Sequence, residues 1–143
     1  MSDDPRIELA RALFGAWSSG DLDAPEPLFH PDGVLEDIVG GRHEGWPAIR
    51  AFFAQGLATA PDLELVPEEL WVNERGVALR WTMSATVQDA APFGADAVGR
   101  RWFSPGMSWL VIEDGRVRYE ADYHDRGAAR KSLGGRSVLG GPP

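Results

Sequence analysis

The chain contains no cysteine, which removes disulfides, thiolate metal ligands and a thiol nucleophile together. No run of about 18 apolar residues occurs, so no membrane-spanning helix is expected. Positive charge is in deficit: 22 Asp and Glu stand against 14 Lys and Arg, a formal net charge of −8. Basic residues adjoin only at Arg100-Arg101 and Arg130-Lys131. Neither doublet makes the stripe that a phosphate backbone requires, so no nucleic-acid partner is expected. Histidine is scarce, with three in all and no His-x-x-x-His pair. A phosphate-cradling glycine loop and a Gly-x-Ser-x-Gly elbow are also missing. No metal and no cofactor are therefore expected. The opening Met-Ser-Asp-Asp-Pro is acidic and lacks the segments of a signal peptide, which predicts a cytoplasmic protein.

What is present suits one globular domain. The 143 residues are 43% hydrophobic and 25% charged, too few for two independent cores and enough for one. We place that domain at residues 1–134 and read the Gly- and Pro-rich 135–143 as a loose tail. Six Trp, six Phe and two Tyr predict either a heavy core or an aromatic-lined cavity.

The hydrophobic period changes along the chain. Asp4 caps a predicted helix with Pro5 at its first position, and Ile7, Ala10, Leu13, Phe14 and Trp17 form its apolar face. Asp23-Ala24-Pro25-Glu26 reads as a capping box for a short second helix, ended by a turn at His30-Pro31-Asp32-Gly33. A strand is predicted over 34–39, a bend at Gly40-Gly41, and a third helix from Pro47 with Ile49, Phe52, Phe53 and Leu57 on one face. Beyond Pro61 the period becomes two. Strands are predicted over 63–72, 77–87, 101–112 and 116–124. Pro67 marks an edge or bulged strand, and Ser104-Pro105-Gly106 a second bulge. Residues 88–98 form a loop with Phe93 as an exposed residue or a lid. Helices first and a meander after give an α+β fold: a cone-shaped, curved antiparallel sheet against three N-terminal helices, with a cavity between.

Specific segments then resemble a known superfamily. Val34-Leu35-Glu36-Asp37-Ile38-Val39-Gly40, followed by Gly45-Trp46-Pro47-Ala48-Ile49-Arg50-Ala51-Phe52-Phe53, resembles the ketosteroid isomerase pattern. Asp122-Tyr123-His124-Asp125 resembles the end of the last strand of limonene epoxide hydrolase. The segment from Gly127 to Gly134 resembles the short helix that follows in SnoaL-like polyketide cyclases. The resemblance implies the nuclear transport factor 2-like fold and acid–base chemistry on a small, apolar, polycyclic or polyketide-like substrate.

It also implies residues. Asp37 matches the isomerase base, and burial beside Ile38, Val39 and Phe52 is expected to raise its pKa. It reads equally as a strand-end carboxylate bonded to nearby backbone or an Arg. Leu13 and Ser108 fall at the isomerase's oxyanion-donor positions, and Trp17 or Trp109 is an alternative donor. Asp122 matches the acid/base aspartate of the hydrolase and the cyclases, Arg80 the hydrolase arginine, and Thr82 its other aspartate. An Arg80–Asp122 salt bridge between strands is the structural alternative. His124 shares a strand face with Asp122 and reads as a catalytic proton shuttle near neutral pH or as an unreactive pocket-lining histidine; Glu120 shares that face and is expected to pair with Arg118 or Arg80. Phe53 joins Leu13, Trp17, Thr82, Ser108 and Glu120 as an expected substrate contact. His30 reads as structural, and His43 as lying near a pocket rim.

Alternation and resemblance conflict. Alternation turns Val77, Leu79, Trp81, Met83, Tyr119 and Tyr123 toward the helices and Arg80, Thr82, Glu120, Asp122 and His124 to water. The resemblance turns Glu120, Asp122 and His124 into the cavity. Both hold if an aromatic sheet face is buried in a homodimer. Three functions follow: an isomerase or cyclase, an epoxide-opening enzyme, and a non-catalytic binder of apolar ligands.

Overall fold

The computed structural model describes residues 4–134; the expected tail at 135–143 lies outside them. Helix α1 (Pro5–Trp17) starts where Asp4 accepts the Arg6 amide at 2.9 Å. Ser18 caps its end, and Gly20, at φ 76°, turns the chain away. The expected capping box at Asp23 yields only a three-residue 3-10 turn, Glu26–Leu28, with no side-chain cap bond. Pro25 and Pro27 close to a strand start leave no room for a longer helix.

Strand β1 (Phe29–Asp37) begins earlier than expected. The predicted turn at His30-Pro31-Asp32-Gly33 lies within it, as a register shift between Phe29 and Val34. The Gly40-Gly41 bend leads into a strand that the sequence did not announce, β2 (Gly41–Glu44), paired antiparallel to β1. Helix α2 (Trp46–Thr59) follows, with Trp46, Ile49 and Phe53 buried. The meander is β3 (Glu64–Val72), β4 (Gly76–Thr86), β5 (Arg101–Glu113) and β6 (Arg116–His124), with α3 (Ala128–Ser132) last.

The six strands form one sheet in the order β2-β1-β6-β5-β4-β3. Four of its five pairings are antiparallel; β1 and β6 run parallel, so the sheet is mixed. That parallel pair has a consequence for function, because it sets Asp37 opposite Asp122. Edge strand β3 carries the expected bulge between Pro67 and Glu69. The bulge expected at Ser104-Pro105-Gly106 is absent: β4 and β5 stay in register from Gly76↔Val111 to Thr86↔Arg101. Pro105 fits because β6 ends at His124, opposite Gly106, so no ladder bond is asked of the proline on that side.

One face of the sheet packs on α1 and α2. Leu13, Phe14, Phe29, Ile49, Val77, Leu79, Leu110 and Val117 are essentially inaccessible there. Each such side chain contributes about 1.5–3 kcal/mol by leaving water. Trp17 meets Phe53 and Phe29 edge-on, with ring centroids at 4.8 and 5.8 Å. The alternation conflict resolves strand by strand. On β4, Val77, Leu79 and Trp81 face the helices as their pattern dictates. On β6, Glu120 faces the helices, while Tyr123 is 54% exposed on the other side.

Candidate active site

Between the sheet and α1 and α2 lies a cavity of about 410 Å³. Its wall is mostly apolar and aromatic: Phe14, Trp17, Leu35, Phe52, Phe53, Trp81, Met83 and Trp102 all line it. Its ionisable side chains gather on neighbouring strands, Asp37 from β1 and Glu120, Asp122 and His124 from β6. Register explains the gathering. Asp37 faces Asp122, and Asp122 faces Ser108 on β5, so three polar residues share one row of the sheet. His124 lies one row beyond, opposite Gly106.

Asp37 makes an ion pair with His124, whose Nε2 donates to both carboxylate oxygens at 3.1 Å. Its Oδ1 also accepts the Val39 and Gly40 amides, at 2.8 and 2.7 Å. Gly40 suits that turn because a Cβ there would strike the Phe52 ring. Burial pushes the Asp37 pKa up, but His124 and the two amides outweigh it and hold the group below its ordinary value. The expected rise is therefore overturned. Burial beside apolar neighbours is offset by local donors, and Ile38 is itself largely exposed. The bonded strand-end reading of Asp37 is observed together with the site reading. His124 is raised, chiefly by the Asp37 bond, so it carries charge further up the pH scale than a free imidazole.

Behind them sits a second group. Trp81 Nε1 donates to Ser108 Oγ at 2.8 Å, and Ser108 Oγ donates to Asp122 Oδ1 at 2.5 Å. Trp17 Nε1 donates to Glu120 Oε1 at 3.3 Å. Glu120 is only 2% exposed and lies two residues from Asp122 on the same face of β6. Burial, and then the neighbouring Asp122 charge, raise Glu120 well above the usual carboxyl range. Burial also raises Asp122, against the bonds from Glu120 and Ser108, which lower it.

The sequence-named residues sort clearly. Asp37, Asp122, His124, Glu120, Trp17 and Phe53 line the cavity, and Ser108 supports it from behind. Leu13 is fully buried core and does not line it. Arg80 and Thr82 occupy the strand positions that alternate with Leu79, Trp81 and Met83, on the opposite sheet face. Arg80 lies 3.7 and 3.5 Å from Glu68 and Glu69, so neither the catalytic arginine nor the Arg80–Asp122 bridge forms. Trp109 alternates with Ser108 and faces outward, which leaves Trp17 as the indole that reaches a carboxyl among those two. Phe93 is half-buried and does not line the cavity. His30 lies 3.4 Å from Arg118, as a structural contact. His43 stacks on Phe52 at 4.2 Å, just behind the wall. Trp81 and Trp102 line the cavity too, though neither was among the expected substrate contacts. For Trp81 the signal was present, since alternation with Leu79 and Met83 put it on the helix-facing side.

An open sheet with helices on one face, enclosing a mostly apolar cavity with a carboxylate–histidine cluster, defines the nuclear transport factor 2-like fold. Residues 10–120 match the model of the SnoaL-like domain, and the chain belongs to that family. Solved structures agree on the fold. A candidate polyketide cyclase from Acidithiobacillus ferrooxidans superposes with a TM-score of 0.79 at 21% identity, covering 93% of this chain and 97% of that one. AclR, a candidate hydroxylase from Streptomyces galilaeus, gives 0.72 at 26% identity over 89% and 93%. A protein of ketosteroid isomerase-like fold from Catenulispora acidiphila, in complex with trimethylamine, gives 0.76 at 17% identity over 87% and 91%. No curated protein matches the chain. Among the described residues, no helix is long and apolar enough to cross a membrane.

Proposed function

We propose that this protein catalyses proton transfer at carbon in a small, largely apolar carbonyl compound of polycyclic or polyketide-like type, closing a ring or moving a double bond. The observation that carries the reading is the juxtaposition of the Asp122 carboxyl with the Asp37–His124 ion pair in a mostly apolar cavity. A carboxylate raised by burial is a stronger base than one in water. In this reading Asp122 takes the proton from the carbon beside the carbonyl. The His124 imidazolium stands next to the negative charge that develops on the carbonyl oxygen and stabilises it. Asp37, already anchored by two amides and lowered in pKa, is better suited to hold His124 than to act as the base. The isomerase resemblance made Asp37 the base; this reading gives that role to Asp122, which the hydrolase and cyclase resemblance already named as an acid/base. The names of the SnoaL-like family and of the cyclase neighbour support the cyclase or isomerase class.

Epoxide opening retains Asp122 as a proton donor but loses Arg80 and Thr82, which lie on the other face of the sheet. The outward face carries Trp71, Phe103, Met107 and Tyr123, all exposed, and in this reading a second copy of the chain covers it in the cytoplasm.

The test is solvent-deuterium uptake into enolisable ketones, unsaturated steroids and aromatic polyketide analogues among them, followed by mass spectrometry. Uptake that disappears in Asp122→Asn and falls in Asp37→Asn establishes carbon-acid catalysis with these roles. Ligand binding without uptake, unchanged by either substitution, would favour a binder without chemistry.

A further inference from the structure

Two of the cavity's tryptophans bear on its buried carboxyls, Trp17 directly and Trp81 through Ser108, by hydrogen bonds whose direction is fixed. An indole N–H donates and cannot accept. Trp81 therefore takes up lone-pair capacity on Ser108, and the single hydroxyl proton of Ser108 goes to Asp122 Oδ1. Trp17 donates to Glu120 Oε1, so that oxygen is an acceptor. Glu120 and Asp122 stand two residues apart on one face of β6 and line the same cavity, so two negative charges there repel and the pair favours holding one proton between them. Asp122 already accepts from Ser108 at 2.5 Å, whereas Glu120, at 2% exposure, is desolvated, which disfavours its charged form.

We propose that Glu120 carries this proton and is a positioning residue: by donating it to Asp122, it keeps Asp122 the deprotonated member of the pair inside an apolar cavity. The polarity runs inward from both tryptophans and ends on the Asp122 carboxylate. Glu120 thus acts on a substrate only through Asp122. The other titratable groups facing the pair are Asp37 and His124, from β1 and β6; α1, α2, β4 and β5 present aromatic, aliphatic and hydroxyl side chains to the cavity. The ion pair between Asp37 and His124 is close to neutral as a unit, so it does not reverse the assignment. The pattern of protonation stands on the placement of the two carboxyls on one strand face, the burial of Glu120 and the bonds from Ser108 and Trp17. Its meaning for catalysis rests on the function proposed above.

The experiment needs no substrate, so its failure is distinguishable from failure of that function. Carboxyl-carbon NMR of 13C-labelled protein is followed against pH, with Asp122→Asn and Glu120→Gln assigning the signals. Wild type is expected to show Asp122 ionising first and Glu120 remaining an acid through neutral pH. Glu120→Gln keeps a neutral donor and an acceptor in place, so the Asp122 midpoint should stay within about half a unit of wild type. Glu120→Leu removes the donor and should raise that midpoint by roughly one unit or more, a tenfold shift in the protonation equilibrium. If Glu120 were the charged member, Glu120→Gln would delete a negative neighbour and lower the Asp122 midpoint by a unit or more, which would overturn the proposal. An Asp122 midpoint unchanged in Glu120→Leu would overturn it as well. Should Glu120→Leu fail to fold, the wild-type order of ionisation and the Glu120→Gln shift still decide the matter.

Discussion

Nε2 of His124 stands 3.1 Å from each carboxylate oxygen of Asp37, and the two side chains are only 13% and 12% exposed. The pair joins the ends of two parallel strands, β1 and β6. Its two members shift in opposite directions, and both shifts favour the charged forms. Asp37 is lowered from 3.8, so its contribution is present above that value and is lost as pH falls through the lowered one. His124 is raised from 6.5, so its contribution is complete below 6.5 and is lost as pH rises through the raised value. The pair therefore stabilises most between 3.8 and 6.5. Thermal unfolding of wild type and His124→Gln across pH should show the widest gap in Tm within that window. The gap should narrow as pH falls below 3.8 and as it rises above 6.5. A gap that does not vary with pH would mean that packing, not charge, holds His124 in place.

Ser108 is 2% exposed and stands between an indole donor and a carboxylate acceptor. Ser108→Ala removes both bonds at once and leaves the Trp81 N–H and Asp122 Oδ1 short of a partner. Unsatisfied buried groups cost about 1–3 kcal/mol each. The variant should lose stability on that scale by denaturant titration. It should also show a higher Asp122 midpoint, because the Ser108 bond is among the interactions that lower it.

Much of this arrangement is legible in the residues, and the remainder depends on pairing between distant strands. The faces of α1 and α2 follow from the spacing of Ile7, Ala10, Leu13, Phe14 and Trp17 and of Ile49 and Phe53, because helical period is local. Likeness of short segments was enough to bring Asp37, Asp122 and His124 to one cavity. Arg80 was misplaced because likeness by position ignores which way a strand faces. Its alternation with Leu79 and Trp81 already turned it outward. Strand β2 has no apolar alternation and exists because it pairs with β1, so no local pattern announces it. The Ser108–Asp122 and Trp17–Glu120 bonds span 14 and 103 residues and depend on how β6 sits against β5 and α1.

Gly106 is the seat of Trp81. A Cβ at that position would meet Cη2, Cζ2 and Cζ3 of the indole well inside van der Waals contact. Trp81 is 2% exposed and is tied to Ser108, so it has little freedom to yield. Gly106→Ala should cost about 1–3 kcal/mol, the usual range for overpacking a close-packed core. It should also weaken the Trp81–Ser108 bond, read as a change in indole fluorescence. An alanine that leaves both stability and fluorescence unaltered would show that the indole is not held there.

Met107 follows Gly106 in sequence and points the other way, onto the outer face of the sheet. There it is 43% exposed and paired in register with Tyr123, at 54%, with Phe103 at 48% and Trp71 at 47% on the same face. Exposed aromatic area on this scale is costly in water, and a specific dimer buries about 800 Å² on each partner. Sedimentation at about 10 μM, the range in which modest interfaces associate, should therefore give twice the chain mass. Met107→Lys places a charge among these side chains and should return the protein to a monomer, since an unpaired buried charge costs several kcal/mol. The substitution lies on the face opposite Trp81 and leaves the cavity's own side chains in place. Monomers that keep the Asp122 and His124 midpoints would show that each chain builds its site alone. Midpoints that move with the oligomeric state would show that the outer face steadies the strands on which Ser108, Asp122 and His124 are set. Wild type sedimenting as a monomer would remove the dimer from this account altogether.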